Sequence, residues 1–84
     1  MKEILEELVI KLQAVLTKKE EELSSQQDYN AYSIGHINNR RIEIESFSKS
    51  IKKVSNDPSL KKEILNNFTI EANRIIIEIS MIKN

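Results

Sequence analysis

The chain has 84 residues, and its 13 basic and 13 acidic side chains give a formal net charge of zero at pH 7. With no net charge, there is no global field to draw the protein to nucleic acid or to an anionic membrane. The chain has no cysteine and one histidine, which excludes disulfides and leaves few side chains for a metal site.

Glycine and proline, the usual breaks in regular structure, occur once each in the chain. Between them, apolar residues recur at helical rather than strand spacing. We therefore predict an all-α fold in which residues 1–84 form a single domain, with helices at about 3–24, 27–54 and 58–82. The expected arrangement is an antiparallel three-helix bundle, or a helical hairpin plus a third helix, and either can dimerise into a larger bundle.

The first predicted helix carries Leu5, Leu8, Leu12 and Val15 at alternating steps of three and four residues, which is typical of a core-facing stripe. Residues 18–22 are all charged, which predicts that the last turns of this helix are exposed to solvent. Acidic residues near the start argue against a signal peptide, and no apolar run is long enough to cross a membrane. We expect a cytoplasmic protein.

The junction between the first two helices has no glycine or proline. Ser24 and Gln27 match the capping box that begins many helices. The two helices are therefore joined by a tight turn, or they form one long helix in an oligomer. We favour the turn.

The second predicted helix carries Ile37, Ile44 and Ile51 at a spacing of seven, as in packed helices. Arg40 occupies a position where this register calls for another apolar side chain. The helix is expected to end before Asp57, which can cap the third helix. Pro58 can then take the first helical position, where a missing N–H costs nothing.

The third predicted helix is apolar on more than one side. In a small chain, such a helix lies between the other two, meets a second copy of the protein or awaits a partner. We expect a homodimer whose interface is formed by Phe68, Ile75, Ile76, Ile79 and Ile82.

Catalytic and metal-binding patterns are not evident in the sequence. His36 is the only imidazole, and a nucleophile needs an oriented base beside it. The nearest acids downstream, Glu43 and Glu45, do not lie three or four residues away, as a metal-binding pair on a helix does. We predict no catalytic residue, no metal and no cofactor, and hence a protein that is not an enzyme.

The start of the second helix is the segment with the strongest features for recognition. Both tyrosines, the histidine and the glycine of the chain lie here, and on a helix the candidate partner-binding residues form one stripe: Tyr29, Tyr32, His36, Asn39 and Arg40. Gly35 beside them allows close approach of another backbone. In the alternative interpretation, the tyrosines shield the edge of the core and Gly35 lets two helices of the same chain pack closely.

The same segment, Asp28–Ile37, resembles a tyrosine-x-x-glycine segment of small uncharacterised helical proteins of bacteriophages and related mobile elements. This resemblance implies an accessory protein that binds another protein, of the host or the phage, and blocks or modulates it.

Three functions follow as expectations. The first is a protein-binding module, and the sequence does not identify its partner. The second is a structural oligomer, such as a small helical chaperone or assembly factor. The third is a helical dimer that binds nucleic acid through the basic residues of the second helix, which are Arg40, Arg41, Lys49, Lys52 and Lys53.

Overall fold

The computed structural model describes residues 2–84 and contains three α-helices: α1 (Lys2–Ser24), α2 (Ala31–Ser55) and α3 (Lys62–Ser80). No strand occurs among the described residues. Consecutive helices run antiparallel and pack into a bundle with principal extents of 49 × 17 × 16 Å. The prediction of an all-α three-helix arrangement is confirmed.

The core lies along the bundle axis and draws on all three helices. It consists of Leu5, Leu12, Leu16, Leu23, Ile37, Ile44, Phe47, Ile51, Ala72, Ile75, Ile79 and Ile82. Because most of these residues recur at steps of three, four or seven, each helix presents one apolar stripe to the other two. The α1 helix packs extensively against both neighbours, whereas α2 and α3 contact each other less. Polar side chains can therefore occupy the surface between α2 and α3.

The turn predicted between the first two helices is present and occupies residues 25–30. The Ser24–Gln27 capping box does not form, because Ser24 is the last residue of α1 and its hydroxyl donates to the carbonyl of Glu21. Asn30 caps α2 instead, and its Oδ1 accepts a hydrogen bond of 3.1 Å from the backbone N–H of Ser33. As a result α2 begins at Ala31, four residues later than predicted.

The start of α3 also differs from the prediction. The carboxylate of Asp57 accepts hydrogen bonds from the backbone N–H of Ser59 at 2.8 Å and from its hydroxyl at 2.6 Å, which makes a local turn that contains Pro58. The helix begins only at Lys62, and its N-cap, Lys61, makes no side-chain capping bond. Asp57 therefore stabilises the connection between helices and does not cap α3.

The five residues assigned to the dimer interface all belong to the core of a single chain or pack against it. Ile75, Ile79 and Ile82 are buried in that core, with exposed fractions of 0%, 1% and 6%. Phe68 and Ile76 are half-buried against the same core. The apolar side chains that α3 exposes are Ile70 and Ile77, which are seven residues apart and lie on its outer face.

Candidate functional site

A cleft of about 600 Å³ lies at the end of the bundle where α2 begins and α3 ends. Its size falls within the range of about 300–1,000 Å³ that is common for ligand pockets. The cleft is lined by Tyr32, His36, Arg40, Glu78, Met81, Ile82, Lys83 and Asn84.

One wall of the cleft is a row of side chains on α2. Tyr32 and His36 are four residues apart, so they lie on the same face of the helix. Their rings contact edge to face, with centroids 4.3 Å apart and an angle of 68° between the planes. Tyr32 is 70% exposed, although it is a large side chain with an apolar ring. The wall therefore presents an aromatic surface that the chain itself does not cover.

The opposite wall is formed by the end of α3 and the residues after it, which hydrogen bonds hold in place. The hydroxyl of Ser33, which is fully buried, donates to the carbonyl of Lys83 at 3.1 Å. The side-chain amide of Asn84 donates to the carbonyl of Leu23 at 3.1 Å and to Oε1 of Gln26 at 2.7 Å. The first of these bonds holds Lys83 against the start of α2, and the two bonds of Asn84 hold the last residue against the end of α1 and the turn that follows it.

Ion pairs join α2 to α3 at the inner end of the cleft. Nη1 of Arg40 pairs with Glu78 and, at 3.2 Å, with Glu43. Arg74 donates to Glu43 at 2.8 Å and pairs with Glu78 at 2.7 Å and with Glu71. This cluster explains why the register of α2 has Arg40 at an otherwise apolar position: α2 and α3 meet there through charges.

Hydrogen bonding within the cluster shifts the pKa values of two of its members. The hydrogen bond from Arg74 stabilises the carboxylate of Glu71 and holds its pKa below the ordinary value for a glutamate. The same bond, followed by those to Glu43 and Glu78, raises the pKa of Arg74. These hydrogen bonds therefore favour the charged forms of Glu71 and Arg74.

The structure brings together three of the five residues assigned to partner binding, since Tyr32, His36 and Arg40 all line the cleft. Asn39 is exposed on α2 but does not line the cleft. Tyr29 precedes the helix, lies half-buried against the core and does not continue the stripe. For Tyr29 the packing interpretation applies.

The cleft residues after position 77 were not assigned to the site from the sequence. Glu78, Met81, Lys83 and Asn84 reach the cleft because the end of α3 lies beside the start of α2. Antiparallel packing of α2 and α3 was expected, and it provides the one signal that could have located these residues. The exposed Met81, close to a predicted aromatic stripe, is the residue that this signal would have identified first.

Gly35 lies next to His36 in the second turn of α2, inside a regular helix. A Cβ atom at this position would meet no atom of the chain within 4 Å. The glycine therefore does not serve close packing between helices of the same chain.

Three further observations concern the kind of function that the chain can have. Within residues 2–84, no group of three or more acidic or histidine side chains is arranged to hold a metal ion. None of the three described helices combines the length and the apolar character needed to span a bilayer. No protein-family model matches the chain, and no curated protein or solved structure is significantly similar to it.

Proposed function

We propose that the chain is a small non-catalytic module that binds another protein through the cleft between the start of α2 and the end of α3. The observation that carries this proposal is the exposed ring of Tyr32, which packs on His36 opposite Met81. Tyr32 and Met81 are 70% and 69% exposed, so the folded chain leaves both largely in water. A partner that covers them gains the free energy of apolar burial.

The types of residue in the cleft are those that protein interfaces favour. Tyrosine, methionine and arginine are enriched at interfaces, and tyrosine and arginine are enriched among the residues that contribute most to affinity. Here Tyr32, Met81 and Arg40 line one concave surface. A hydrogen bond from Ser33 to Lys83 joins its two walls, and Asn84 is held in place by Leu23 and Gln26, which reduces the ordering that binding requires.

Gly35 neighbours the cleft residues Tyr32 and His36 on α2 without lining the cleft, and it supports an intermolecular role for the start of this helix. A glycine inside a helix destabilises it by about 1 kcal/mol relative to alanine. No contact within the chain requires the missing Cβ. A partner backbone that approaches α2 beside His36 provides a reason for the glycine that the isolated chain does not.

The biological setting that we propose follows from the resemblance of residues 28–37 to proteins of bacteriophages and mobile elements. In that setting, the module is an accessory protein that binds a host protein and modulates or inhibits it. Occupation of the cleft by a segment of the host protein accounts for inhibition without any chemical step.

The proposal is tested by affinity capture from a bacterial lysate with three forms of the protein. We expect the original chain to retain one protein in stoichiometric amounts and Tyr32→Ala to lose it. Ile42→Ala is the matched control, because Ile42 is 63% exposed on the same helix but does not line the cleft. Equal capture by all three forms would contradict the proposal, as would the absence of any captured protein. Circular dichroism establishes that each variant is folded.

A further inference from the structure

A second cleft, of about 330 Å³, lies between α2 and α3. It is lined by Glu43, Ser46, Phe47, Ser50, Phe68 and Glu71, and we call it the Phe68 cleft. Neither the Phe68 cleft nor the cleft at Tyr32 has a residue of α1 in its lining. Because α1 packs against both α2 and α3, the two clefts open on the side of the α2–α3 pair that faces away from α1. They are therefore two parts of one α2–α3 groove.

The α2–α3 groove is long enough to hold a helix. Tyr32 and Ser50 are the α2 residues at its two ends, and they are separated by about 27 Å at a rise of about 1.5 Å per residue. The groove lies between two helices that contact each other less than either contacts α1. With α1 behind this pair, the groove is the position that a fourth helix takes in a four-helix bundle.

The Phe68 cleft has an aromatic floor and an acidic rim. The rings of Phe47 and Phe68 pack edge to face with centroids 5.6 Å apart, and Phe68 is only half-buried. The charged residues of the lining are Glu43 and Glu71, and no basic residue lines this cleft. An aromatic ring beside carboxylates suits a lysine or arginine, because its aliphatic stem packs on the ring while its charge faces the carboxylates.

The ion pairs at the middle of the groove also favour a basic residue in whatever binds there. The carboxylates of this cluster belong to Glu43, Glu71 and Glu78, and its guanidinium groups belong to Arg40 and Arg74. Three negative and two positive groups leave a net charge of −1. The side chains of Glu71 and Glu78 are 46% and 37% exposed, so a bound segment can approach them. A cation on that segment is attracted and an anion is repelled.

We propose that the α2–α3 groove receives an amphipathic helix of the partner protein. One face of this helix places an apolar side chain against Tyr32 and Met81 and, about three turns further along, a lysine or arginine in the Phe68 cleft. The spacing follows from the two clefts, because His36 and Phe47, which line one each, are about 16 Å apart along α2. This inference rests on the proposed function and specifies the kind of segment that is bound.

The test uses two linear, alanine-rich peptides of about 18 residues, long enough to span the groove. The first has two leucines one turn apart and a lysine about three turns after the first leucine, all on one face. The second has the same composition, but its lysine is moved to the opposite face. Each peptide is also made in reverse order, which covers both directions of the bound helix. Binding is followed at low ionic strength, up to about 2 mM peptide, by circular dichroism and by NMR. The backbone signals of Tyr32 and His36 report on one cleft, and those of Ser46 and Ser50 report on the other.

We expect the first peptide, in one of its two directions, to shift both sets of signals along one binding curve and to become more helical. The peptide with the displaced lysine should bind about fivefold more weakly. Glu71→Gln removes a carboxylate from the Phe68 cleft, so it should weaken binding of the first peptide about two- to fivefold. Glu45→Gln is the matched control, since Glu45 is exposed on α2 and lines neither cleft. This control should bind the first peptide as the original chain does.

Four outcomes would overturn the inference: no shift with either peptide, shifts in one cleft only, equal binding of the two peptides, or no gain of helicity. Groove signals that move with protein concentration alone would also overturn it, because a second copy of the chain would then occupy the groove. In each case, continued loss of protein capture in Tyr32→Ala would leave the proposed function standing. The failures of the two proposals are thus distinguishable.

Discussion

Contacts within the folded chain do not explain the glycine at position 35, and they explain only part of the placement of Tyr32, whose ring contacts His36 but remains largely exposed. Tyr32 exposes most of its ring, and the missing side chain of Gly35 relieves no contact. Both lie at the start of α2, one turn apart. Residues that have a cost in the isolated protein and little compensating contact indicate where a second molecule makes the difference.

Replacement of Gly35 by alanine separates stability from binding. Because Cβ meets no atom within 4 Å, we expect Gly35→Ala to stabilise the protein. The gain should approach about 1 kcal/mol, or roughly 4–8 °C in Tm for a domain of this size. We expect capture of the partner to weaken at the same time. Thermal denaturation and affinity capture measure the two effects. A lower Tm would show that the fold needs the glycine, and unchanged capture would show that the partner does not approach it.

The residues of the candidate site were predictable from the sequence where they lie on one helix. Tyr32, His36 and Arg40 recur at steps of four, so a helical spacing alone places them on one face. Tyr29 was misplaced because Asn30 caps the helix after it. Met81 and Lys83 could not be assigned to the site from local pattern, because their position depends on tertiary packing of α3 beside α2.

Apolar packing holds both α2 and α3 to α1. Between α2 and α3 themselves, ion pairs replace much of this apolar packing. These pairs are partly exposed, so each stabilises the fold modestly. Arg74 contacts three carboxylates and is the most connected member of the cluster. The contact between α2 and α3 should therefore respond to pH and salt more than the contacts of α1 do.

Arg74→Met tests this contribution through its pH dependence. The folded pKa of Glu71 is below its unfolded value, so the contribution is complete above the unfolded pKa and is lost as pH falls through the folded pKa. We expect Arg74→Met to lower the free energy of unfolding by about 0.5–1 kcal/mol near neutral pH. Near pH 3, by contrast, the two proteins should differ by only about a few tenths of a kcal/mol. Urea unfolding at both pH values gives this comparison. An equal difference at the two values would show that the side chain acts through packing.

The ends of the helices were the least predictable feature of these elements. The apolar stripes located all three helices, but α2 and α3 each begin four residues later than expected. In both cases a polar residue, Asn30 or Asp57, makes a local hydrogen bond that the apolar pattern does not reveal. Each junction contains several polar residues that could cap a helix. The path of the turn decides whether one of them does.

The molecule as a whole is a bundle whose core uses nearly all of the apolar residues that the sequence patterns identified. The breadth of apolar surface on α3 has a simple source: its inner side meets α1 and α2, while Ile70 and Ile77 remain exposed on the outer face. The homodimer stays a prediction. If it forms through α3, we expect these two outer residues to contribute, because Ile75 and Ile79 are buried within their own chain.

The central claim is that this bundle binds another protein through the cleft. Photo-crosslinking from two positions of α2 tests this claim most directly. A benzophenone amino acid replaces Tyr32 in one variant and Ile42 in the other, because both side chains are well exposed and the cleft includes only Tyr32. After irradiation in a bacterial lysate, we expect one protein adduct from position 32 and none from position 42. Adducts of equal yield from both positions, or an adduct from position 42 alone, would contradict the account.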